Sequence, residues 1–175
     1  MIYYDDHTIR IRDLESTDPQ QIADGEKAQG WVNASPSKYE MRLRHRAEGK
    51  CIALAADYKG QVAGYINVYP DSKWGAFGNL GLPEIIDFGV LQKFQRNGIG
   101  SKLMDVAEQI SATYADTVYL GVGLHSGYGN AQRMYVKRGY IPDGSGVWYG
   151  PHVCTPYKTC CNDDSLTLYL SKKLR

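Results

Sequence analysis

The residues best suited to chemistry are those of segment 95–101, with the sequence Q-R-N-G-I-G-S. An apolar run at 85–91 precedes this segment and apolar residues at helical spacing follow it, which predicts a strand, a tight loop and a helix. The loop and the first helical turn would present unpaired backbone N–H groups and the positive end of the helix dipole to one point. Such an arrangement binds anions, phosphate above all, and glycine at 98 and 100 would let a diphosphate approach the backbone without meeting a Cβ.

The glycine spacing separates this loop from two common phosphate motifs. A Rossmann loop would need a third glycine at the position of Leu103, and a P-loop would need Gly-Lys-Ser/Thr after a four-residue spacer. The remaining pattern, Gln/Arg-x-x-Gly-x-Gly/Ala between a strand and a helix, resembles the acetyl-CoA pyrophosphate loop of the GNAT-superfamily N-acetyltransferases. An ordinary strand-to-helix turn would share the Gly-x-Gly spacing, so the wider context has to decide.

The elements that would position this loop follow from periodicity and turn signals. Asp18 is expected as the N-cap of a helix that has Pro19 at its first position and ends at Gly30. A second helix start is expected at Ser35, and Gly139 is expected to end a short helix that begins at Asn130. The predicted strands are 8–12, 51–58, 61–69, 84–91, 117–122 and 166–170, with a further one near 146–149. This order predicts an α/β (α+β) fold: a mixed, mostly antiparallel sheet of about six to seven strands flanked by about four helices.

This element order resembles that of GNAT enzymes over nearly the whole chain, from Thr8 to Leu170. Gly64, after the turn at 59–60, resembles a recurrent position in the family's third strand. Segment 131–140, A-Q-R-M-Y-V-K-R-G-Y, resembles the family's second motif, Ala-x-x-x-Tyr-x-x-x-Gly-Phe/Tyr. The chain is therefore identified as a member of this family, with one GNAT domain expected over 1–175 and a splayed central strand pair implied by the resemblance.

The resemblance implies acetyl-CoA as co-substrate and no metal. The pantetheine arm would pair with the strand backbone at 88–90, the diphosphate would rest on the loop amides, and a backbone N–H near Val90 would stabilise the oxyanion. Arg96 is expected either to reach the phosphates or to be a solvated cation. Many relatives carry an asparagine where this chain has Tyr128, so Tyr128 or Asn130 would supply that contact, unless Asn130 is only an N-cap. The predicted cofactor-binding residues are Phe88, Gly89, Val90, Gln95, Arg96, Asn97, Gly98, Ile99, Gly100, Ser101, Tyr128 and Asn130.

The resemblance also implies direct attack of an amine on the thioester, without an acyl-enzyme, and two proton transfers. Glu84 occupies the position of the catalytic glutamate in the family's histone-acetyltransferase branch, and an exposed charge is its alternative role. Asp87 is the other candidate base, provided that a bulge reorients it; its alternative role is that of a paired, buried carboxylate. Tyr135 occupies the position of a tyrosine that faces the CoA sulfur and would protonate the thiolate, and its alternative role is in the core.

Aromatic residues favour a small-molecule amine as acceptor. Trp31, Trp74, Trp148 and Tyr149 lie in or near segments that flank the acceptor side in this fold, and bulky rings there would narrow the site. Trp31, Trp148 and Tyr149 are therefore the predicted substrate-binding residues. A protein or peptide acceptor, and a non-catalytic acyl-CoA-binding module, remain alternatives.

The composition restricts the remaining function classes. The 20 Lys and Arg residues nearly balance the 19 Asp and Glu residues, so nothing favours nucleic acid or a membrane surface. The N-terminal residues are acidic and no apolar run approaches ~20 residues, so we expect a soluble, cytoplasmic protein. The basic run at 42–46 is expected to be a solvated helix face rather than an acidic-ligand patch. Free thiols are favoured for the four cysteines over a metal site or disulfide, and a homodimer is left open.

Overall fold

The computed structural model describes residues 1–175, which form two compact units. The first unit comprises Met1–Tyr69 and Ile86–Ile110, and the second comprises Pro70–Ile85 and Ser111–Arg175. Strand β5 (Glu84–Val90) gives its first two residues to the second unit and the others to the first. Each unit therefore contains part of the strand that precedes the predicted anion-binding loop.

The other elements of the first unit, in chain order, are β1 (Ile2–Asp5), β2 (Ile9–Asp13), α1 (Asp18–Ala28), α2 (Ser37–Ala47), β3 (Ile52–Tyr58), β4 (Gln61–Tyr69), a 3-10 helix (Gln92–Phe94) and α3 (Ile99–Ser111), whose last residue falls in the second unit. The strand order is β1-β2-β3-β4-β5, with β1 to β4 antiparallel. Lys59 and Gly60 join β3 to β4 with φ values of 49° and 80°, and two left-handed residues in a two-residue turn match the twist of a hairpin.

The core of the first unit includes a cluster from the α1 and α2 region and strands β3 and β4. Its buried members are Leu14, Ile22, Tyr39, Cys51, Ala53, Ala55, Val62 and Tyr65. Helix α3 buries residues 99, 103, 104, 106 and 107, which is the apolar stripe expected of an amphipathic helix. A Cβ on Gly64 would lie 2.7 Å from the carbonyl oxygen of Gly89, so glycine at this position permits close approach of β4 to β5.

Besides the start of β5, the elements of the second unit are β6 (Thr117–Gly123), a 3-10 helix (Ser126–Tyr128), α4 (Gly129–Lys137), β7 (Ile141–Tyr149), β8 (His152–Val153) and β9 (Leu166–Lys173). The strand order is β5-β6-β9-β7-β8. Strand β5 pairs with β6 in parallel only through Glu84 with Tyr119 and Ile85 with Leu120, whereas β6, β9, β7 and β8 pair antiparallel. The parallel pairing thus ends at Ile85, as the predicted splayed pair requires.

The predicted fold class is confirmed: the structure has four α-helices and a mixed, mostly antiparallel arrangement of strands. The number of strands is nine rather than six to seven. The difference comes from β1 and β8, which have four and two residues and carry no alternation of apolar and polar side chains. No helix is long and apolar enough to cross a membrane.

The N-cap assigned to α1 was wrong. Thr17 is the N-cap, and Asp18 lies inside the helix with no exposed area. The Asp18 carboxylate accepts hydrogen bonds from Arg12 Nη1, at 2.7 Å, and from the backbone N–H of Glu15, also at 2.7 Å. The Asp18 carboxylate therefore forms an ion pair with Arg12 of β2 and does not cap α1.

Candidate active site

The loop before α3 has the backbone of an anion-binding loop. Arg96 and Gly98 have φ values of 68° and 81°, and Lys102 N–H donates to the Gly98 carbonyl at 3.1 Å as α3 begins. The backbone N–H groups of residues 99–101 therefore belong to the first helical turn, which has no intrahelical acceptors. Together with the positive end of the helix dipole, these groups can bind a phosphate.

Side chains of the loop hold its backbone in place. The Asn97 amide donates to the carbonyl oxygens of Phe94 and Gln95 at 3.0 and 3.2 Å, and its oxygen accepts from Tyr58 Oη at 3.1 Å. The Gln95 amide donates to the carbonyl of Val90 at 3.1 Å. Arg96 and Ser101 are exposed. Asn97 and Gln95 are thus engaged in shaping the loop, and the side chains left outward are those of Arg96 and Ser101.

Glycine is favoured at positions 98 and 100 of the loop for two different structural reasons. Gly98 has a left-handed φ and open space around the position of a Cβ. Gly100 has no such φ, and its Cβ would lie 3.1 Å from Cζ of Phe88. Glycine at 100 therefore lets α3 pack closely on β5, in addition to leaving space for the diphosphate predicted to bind there.

Strand β5 has a left-handed residue within it, since Asp87 has a φ of 51°. The Asp87 carboxylate pairs with Arg42 of α2, whose Nε donates to Oδ2 at 2.8 Å. Burial opposes the charge on Arg42, but the Coulombic attraction and hydrogen bonds of Asp87 outweigh it and leave the pKa of Arg42 raised. Arg42 also donates to Tyr69 Oη, which lies 2.6 Å from Nδ1 of His45. Asp87 is thus a paired, half-buried carboxylate, and the solvated face predicted for the basic run is wrong for Arg42.

A buried glutamate in α1 was missed by the sequence analysis. Glu26 is 2 % exposed and accepts hydrogen bonds from the hydroxyls of Tyr39 and Tyr65, the latter at 2.9 Å. Tyr65 packs on β5, since a Cβ on Gly89 would lie 2.6 Å from its Cζ. The available signal was the helical spacing of Glu26 from Ile22, which places a charged residue on the apolar face of α1.

Glu84 lies in the second unit and is 5 % exposed, so the alternative of an exposed charge is wrong. It accepts a hydrogen bond from Ser72 and lies 3.2 Å from Tyr119 Oη, which also donates to the Trp74 carbonyl at 2.9 Å. Burial and the charge of Glu84 raise the pKa of Tyr119 and raise that of Tyr169 to about 12. The carboxylate is therefore surrounded by hydroxyl groups that stay protonated well above neutral pH.

Tyr135 of α4 is 5 % exposed, and its ring centroid lies 5.8 Å from that of Tyr140. Burial, followed by the negative charge of Tyr128 when ionised, raises the pKa of Tyr135. The Tyr135 phenol is therefore protonated at neutral pH, and its raised pKa makes it a weaker acid than an exposed tyrosine.

Tyr128 and Asn130, the two residues predicted to replace the family's asparagine, lie at the start of α4. The N-cap of α4 is Tyr128, so an N-cap role for Asn130, which lies exposed within the helix, is wrong. Tyr128 donates to Asp164 Oδ1 at 2.9 Å, and its ring centroid lies 4.7 Å from that of His125. An amide that does contact backbone is Gln132, which donates to the carbonyl of Gly123 at the end of β6 at 2.8 Å.

Two of the predicted substrate-binding residues belong to the second unit and the third belongs to the first. Trp148 and Tyr149 are neighbours on β7 in the second unit, where Trp148 Nε1 donates to Ser145 Oγ at 2.7 Å and Tyr149 Oη donates to Asp163 at 2.9 Å. Trp31 lies between α1 and α2 in the first unit and is 48 % exposed.

The four cysteines are free thiols, as favoured from their spacing. Cys51 is buried in the first unit, and the other three lie at 154–161 in the second. No group of three or more histidine, cysteine or acidic side chains is placed to hold a metal ion.

Comparison with known proteins places these features in a family. Residues 10–140 match the model of the acetyltransferase (GNAT) family, which confirms the resemblance. No curated protein matches the chain in sequence. A GNAT-family protein from Desulfovibrio desulfuricans is similar in structure, with a TM-score of 0.70, 14 % identity, and coverage of 95 % of this chain and 99 % of the other.

Two further similar structures were solved with acetyl-CoA or a CoA-containing analogue. YncA from Salmonella typhimurium, solved with acetyl-CoA, has a TM-score of 0.67 and 15 % identity, with 96 % of this chain and 95 % of that chain covered. Naa50 from Arabidopsis thaliana, solved with the bisubstrate analogue CoA-Ac-MVNAL, has a TM-score of 0.64 and 17 % identity, with 95 % and 99 % covered. At these identities the likeness shows a shared fold.

Proposed function

Because the chain belongs to the acetyltransferase (GNAT) family, we propose that it transfers the acetyl group of acetyl-CoA to the primary amine of a small molecule. Acetyl-CoA is the co-substrate of the family, and the chain is an acyltransferase. We propose further that residues 1–175 act as one acetyltransferase domain and that transfer is direct, in a ternary complex.

The observation that carries this proposal is the loop at 95–101. Two left-handed residues, Arg96 and Gly98, lead into the first turn of α3, where backbone N–H groups lack intrahelical acceptors. This geometry supports binding of the acetyl-CoA diphosphate at residues 95–101, with Arg96 and Ser101 as the exposed side chains beside it. The backbone of residues 88–90 is then the segment proposed to pair with the pantetheine arm.

The reaction requires one bond to form and one to break. The amine nitrogen attacks the thioester carbonyl carbon, the new C–N bond forms, and the C–S bond breaks as the tetrahedral intermediate collapses. The acceptor enters as an ammonium ion with a pKa near ~10, so it loses one proton before attack and a second as the amide forms. One proton ends on the CoA sulfur and the other passes to solvent.

Either Glu84 or Asp87 is proposed to accept the proton that the ammonium group loses, directly or through water. The hydroxyl-lined surroundings of Glu84 support a group that exchanges protons, whereas Asp87 is committed to the Arg42 ion pair. Tyr135 is the proposed acid for the CoA thiolate: its phenol is protonated at neutral pH and would donate that proton as the C–S bond breaks.

Aromatic side chains support a small acceptor. Trp31 is half-exposed, and Trp148 and Tyr149 are proposed to contact the acceptor through their rings. A peptide acceptor is the second candidate, because Naa50 was solved with an analogue that joins CoA to the sequence MVNAL.

The test is a screen of acceptors for release of free CoA from acetyl-CoA. Linear alkylamines, polyamines, amino sugars and aromatic amines are compared with peptides that carry a free N-terminus or a lysine. We expect turnover with one small-amine class at a kcat/KM at least tenfold above that of any peptide. A preference for peptides would replace the small acceptor with the second candidate, and no turnover with any amine would remove the transferase proposal.

A further inference from the structure

The cluster around Glu26 is a built polar site within the first unit. The Glu26 side chain is 3 % exposed, and its Oε1 accepts hydrogen bonds from both Tyr39 and Tyr65. Burial raises the pKa of both tyrosines, and the neighbouring charge of Glu26 contributes to each shift. A buried carboxylate that accepts hydrogen bonds from two phenols favours a cation beside it.

A primary ammonium group already occupies this place. Lys38 Nζ lies 4.0 Å from Glu26 Oε1 and 3.5 Å from Tyr65 Oη. It also lies 4.7 Å and 5.0 Å from the ring centroids of Tyr39 and Tyr65. One carboxylate and two aromatic faces are the usual elements of an alkylammonium site, and here they surround the end of a four-carbon chain.

The Lys38 contact is loose compared with the rest of the cluster. The Lys38 side chain is 39 % exposed, and its separation of 4.0 Å from the carboxylate is at the limit of an ion pair. A screened, partly exposed pair of this kind shifts an equilibrium by about fivefold at most. The phenol hydrogen bonds to Glu26 involve only buried residues, so Lys38 can leave while the site keeps its shape.

The site adjoins the strand to which the proposed function assigns the acetyl donor. A Cβ on Gly89 would lie 2.6 Å from Cζ and 2.7 Å from Oη of Tyr65, so the phenol lies directly against the Gly89 backbone. An ammonium group held by Tyr65 and Glu26 is therefore held beside β5.

We propose that Glu26, Tyr39 and Tyr65 bind the primary ammonium group of the acceptor and that Lys38 is an exchangeable internal occupant of the same site. The acceptor class is a small primary amine on an unbranched alkyl chain, the chemical form of the Lys38 side chain itself. This inference rests on the proposed function, because it places the acceptor next to Gly89.

The first experiment measures binding without turnover. n-Butylammonium, which matches the end of the lysine side chain, is titrated into the full chain while the ring signals of labelled tyrosines are followed by NMR. Replacing Lys38→Met removes the internal competitor and is expected to tighten n-butylammonium binding by about two- to fivefold. Lys27→Met, at an exposed position of α1, is the matched control and leaves the affinity unchanged.

Removal of the carboxylate is expected to act in the opposite direction. Glu26→Gln keeps the size of the side chain and removes its charge, so n-butylammonium binding falls by about tenfold or more. Glu40→Gln, at an exposed position of α2, is the matched control. Glu26 is buried, so its replacement can unfold the chain. Lys38 is partly exposed, so the Lys38→Met variant tests the proposal even if the Glu26→Gln variant does not fold. Weaker or unchanged binding in folded Lys38→Met overturns the ammonium site.

A kinetic experiment separates this inference from the proposed function. With an amine accepted in the screen, Lys38→Met lowers the KM for the amine by the same factor and Glu26→Gln raises it, while the KM for acetyl-CoA changes by less than about twofold. Turnover with an unaltered amine KM in both variants overturns the site and leaves the function standing. Binding of n-butylammonium as described, without transfer to any amine, supports the site and removes the function.

Discussion

Each unit of the molecule contains one buried glutamate bonded to tyrosine, and the two clusters differ in what else surrounds the carboxylate. Glu26 in the first unit has the ammonium of Lys38 at 4.0 Å. Glu84 in the second unit is bonded to hydroxyls, with Ser72 donating to it and Tyr119 Oη at 3.2 Å. We therefore propose different roles for the two carboxylates: Glu26 binds a cation, and Glu84 exchanges protons.

This difference separates binding from chemistry in the kinetic constants. Changes around Glu26 are expected to act on the KM for the amine, whereas changes at Glu84 and at Tyr135, also in the second unit, are expected to act on kcat. If the base were Asp87, which lies in the first unit and pairs with Arg42, changes in the first unit would also act on kcat, and this separation would not hold.

The largest effect is expected from Tyr135→Phe, which removes one hydroxyl and keeps the ring. Loss of a positioned acid typically lowers turnover by roughly 10²-fold or more. Acetyl-CoA affinity and thermal stability should change little, because the packing volume is retained. Steady-state kinetics, calorimetry of acetyl-CoA binding and thermal unfolding measure these three quantities. Reduced stability with unaltered turnover per folded molecule would instead make Tyr135 a core residue.

An intermediate effect is expected from the pair Glu84→Gln and Asp87→Asn. If Glu84 accepts the ammonium proton, its variant loses about 10- to 100-fold in kcat/KM at neutral pH and recovers part of it near pH ~9, where more free amine is present. Asp87→Asn should then show no such recovery, because its effect comes from leaving Arg42 unpaired. Rates of both variants across this pH range decide the assignment. A pH-dependent loss confined to Asp87→Asn would move proton transfer to the first unit.

The smallest effect concerns stability in alkali. The pKa of Tyr169 is raised from 10.0 to about 12 by burial and by the charge of Glu84. The unfolded chain therefore ionises this phenol first, so stability that is complete below pH 10 is lost as the pH rises toward 12. By about pH 11.5 wild type should lose about 2 kcal/mol more than Tyr169→Phe, relative to about pH 9.

Urea unfolding of the two chains at both pH values measures this difference. Tyr114→Phe, at an exposed tyrosine of the second unit, is the matched control and should follow wild type. Equal losses in wild type and Tyr169→Phe would mean that the pKa of Tyr169 is not raised in the folded chain.

Features carried by local spacing were predictable from the sequence. The loop at 95–101, the helix after it and the β3–β4 hairpin each depend on residues close together in the chain, such as Gly98 and the turn at 59–60. The family resemblance used the same local motifs, and the match over residues 10–140 confirms it. Local backbone preference and apolar periodicity are properties of short segments, so they can be read before the fold is known.

Features that need distant partners were decided only by the tertiary structure. Glu26 meets Tyr39 and Tyr65 across 13 and 39 positions, and Arg42 meets Asp87 across 45. Asp18, expected from the local pattern to cap α1, instead pairs with Arg12 of β2. A side chain's partner depends on which elements pack together, and a buried charge has a large desolvation cost unless such a partner is present. The sequence therefore determined where the anion-binding loop lies, and packing alone decided which carboxylates are paired, with what, and in which unit.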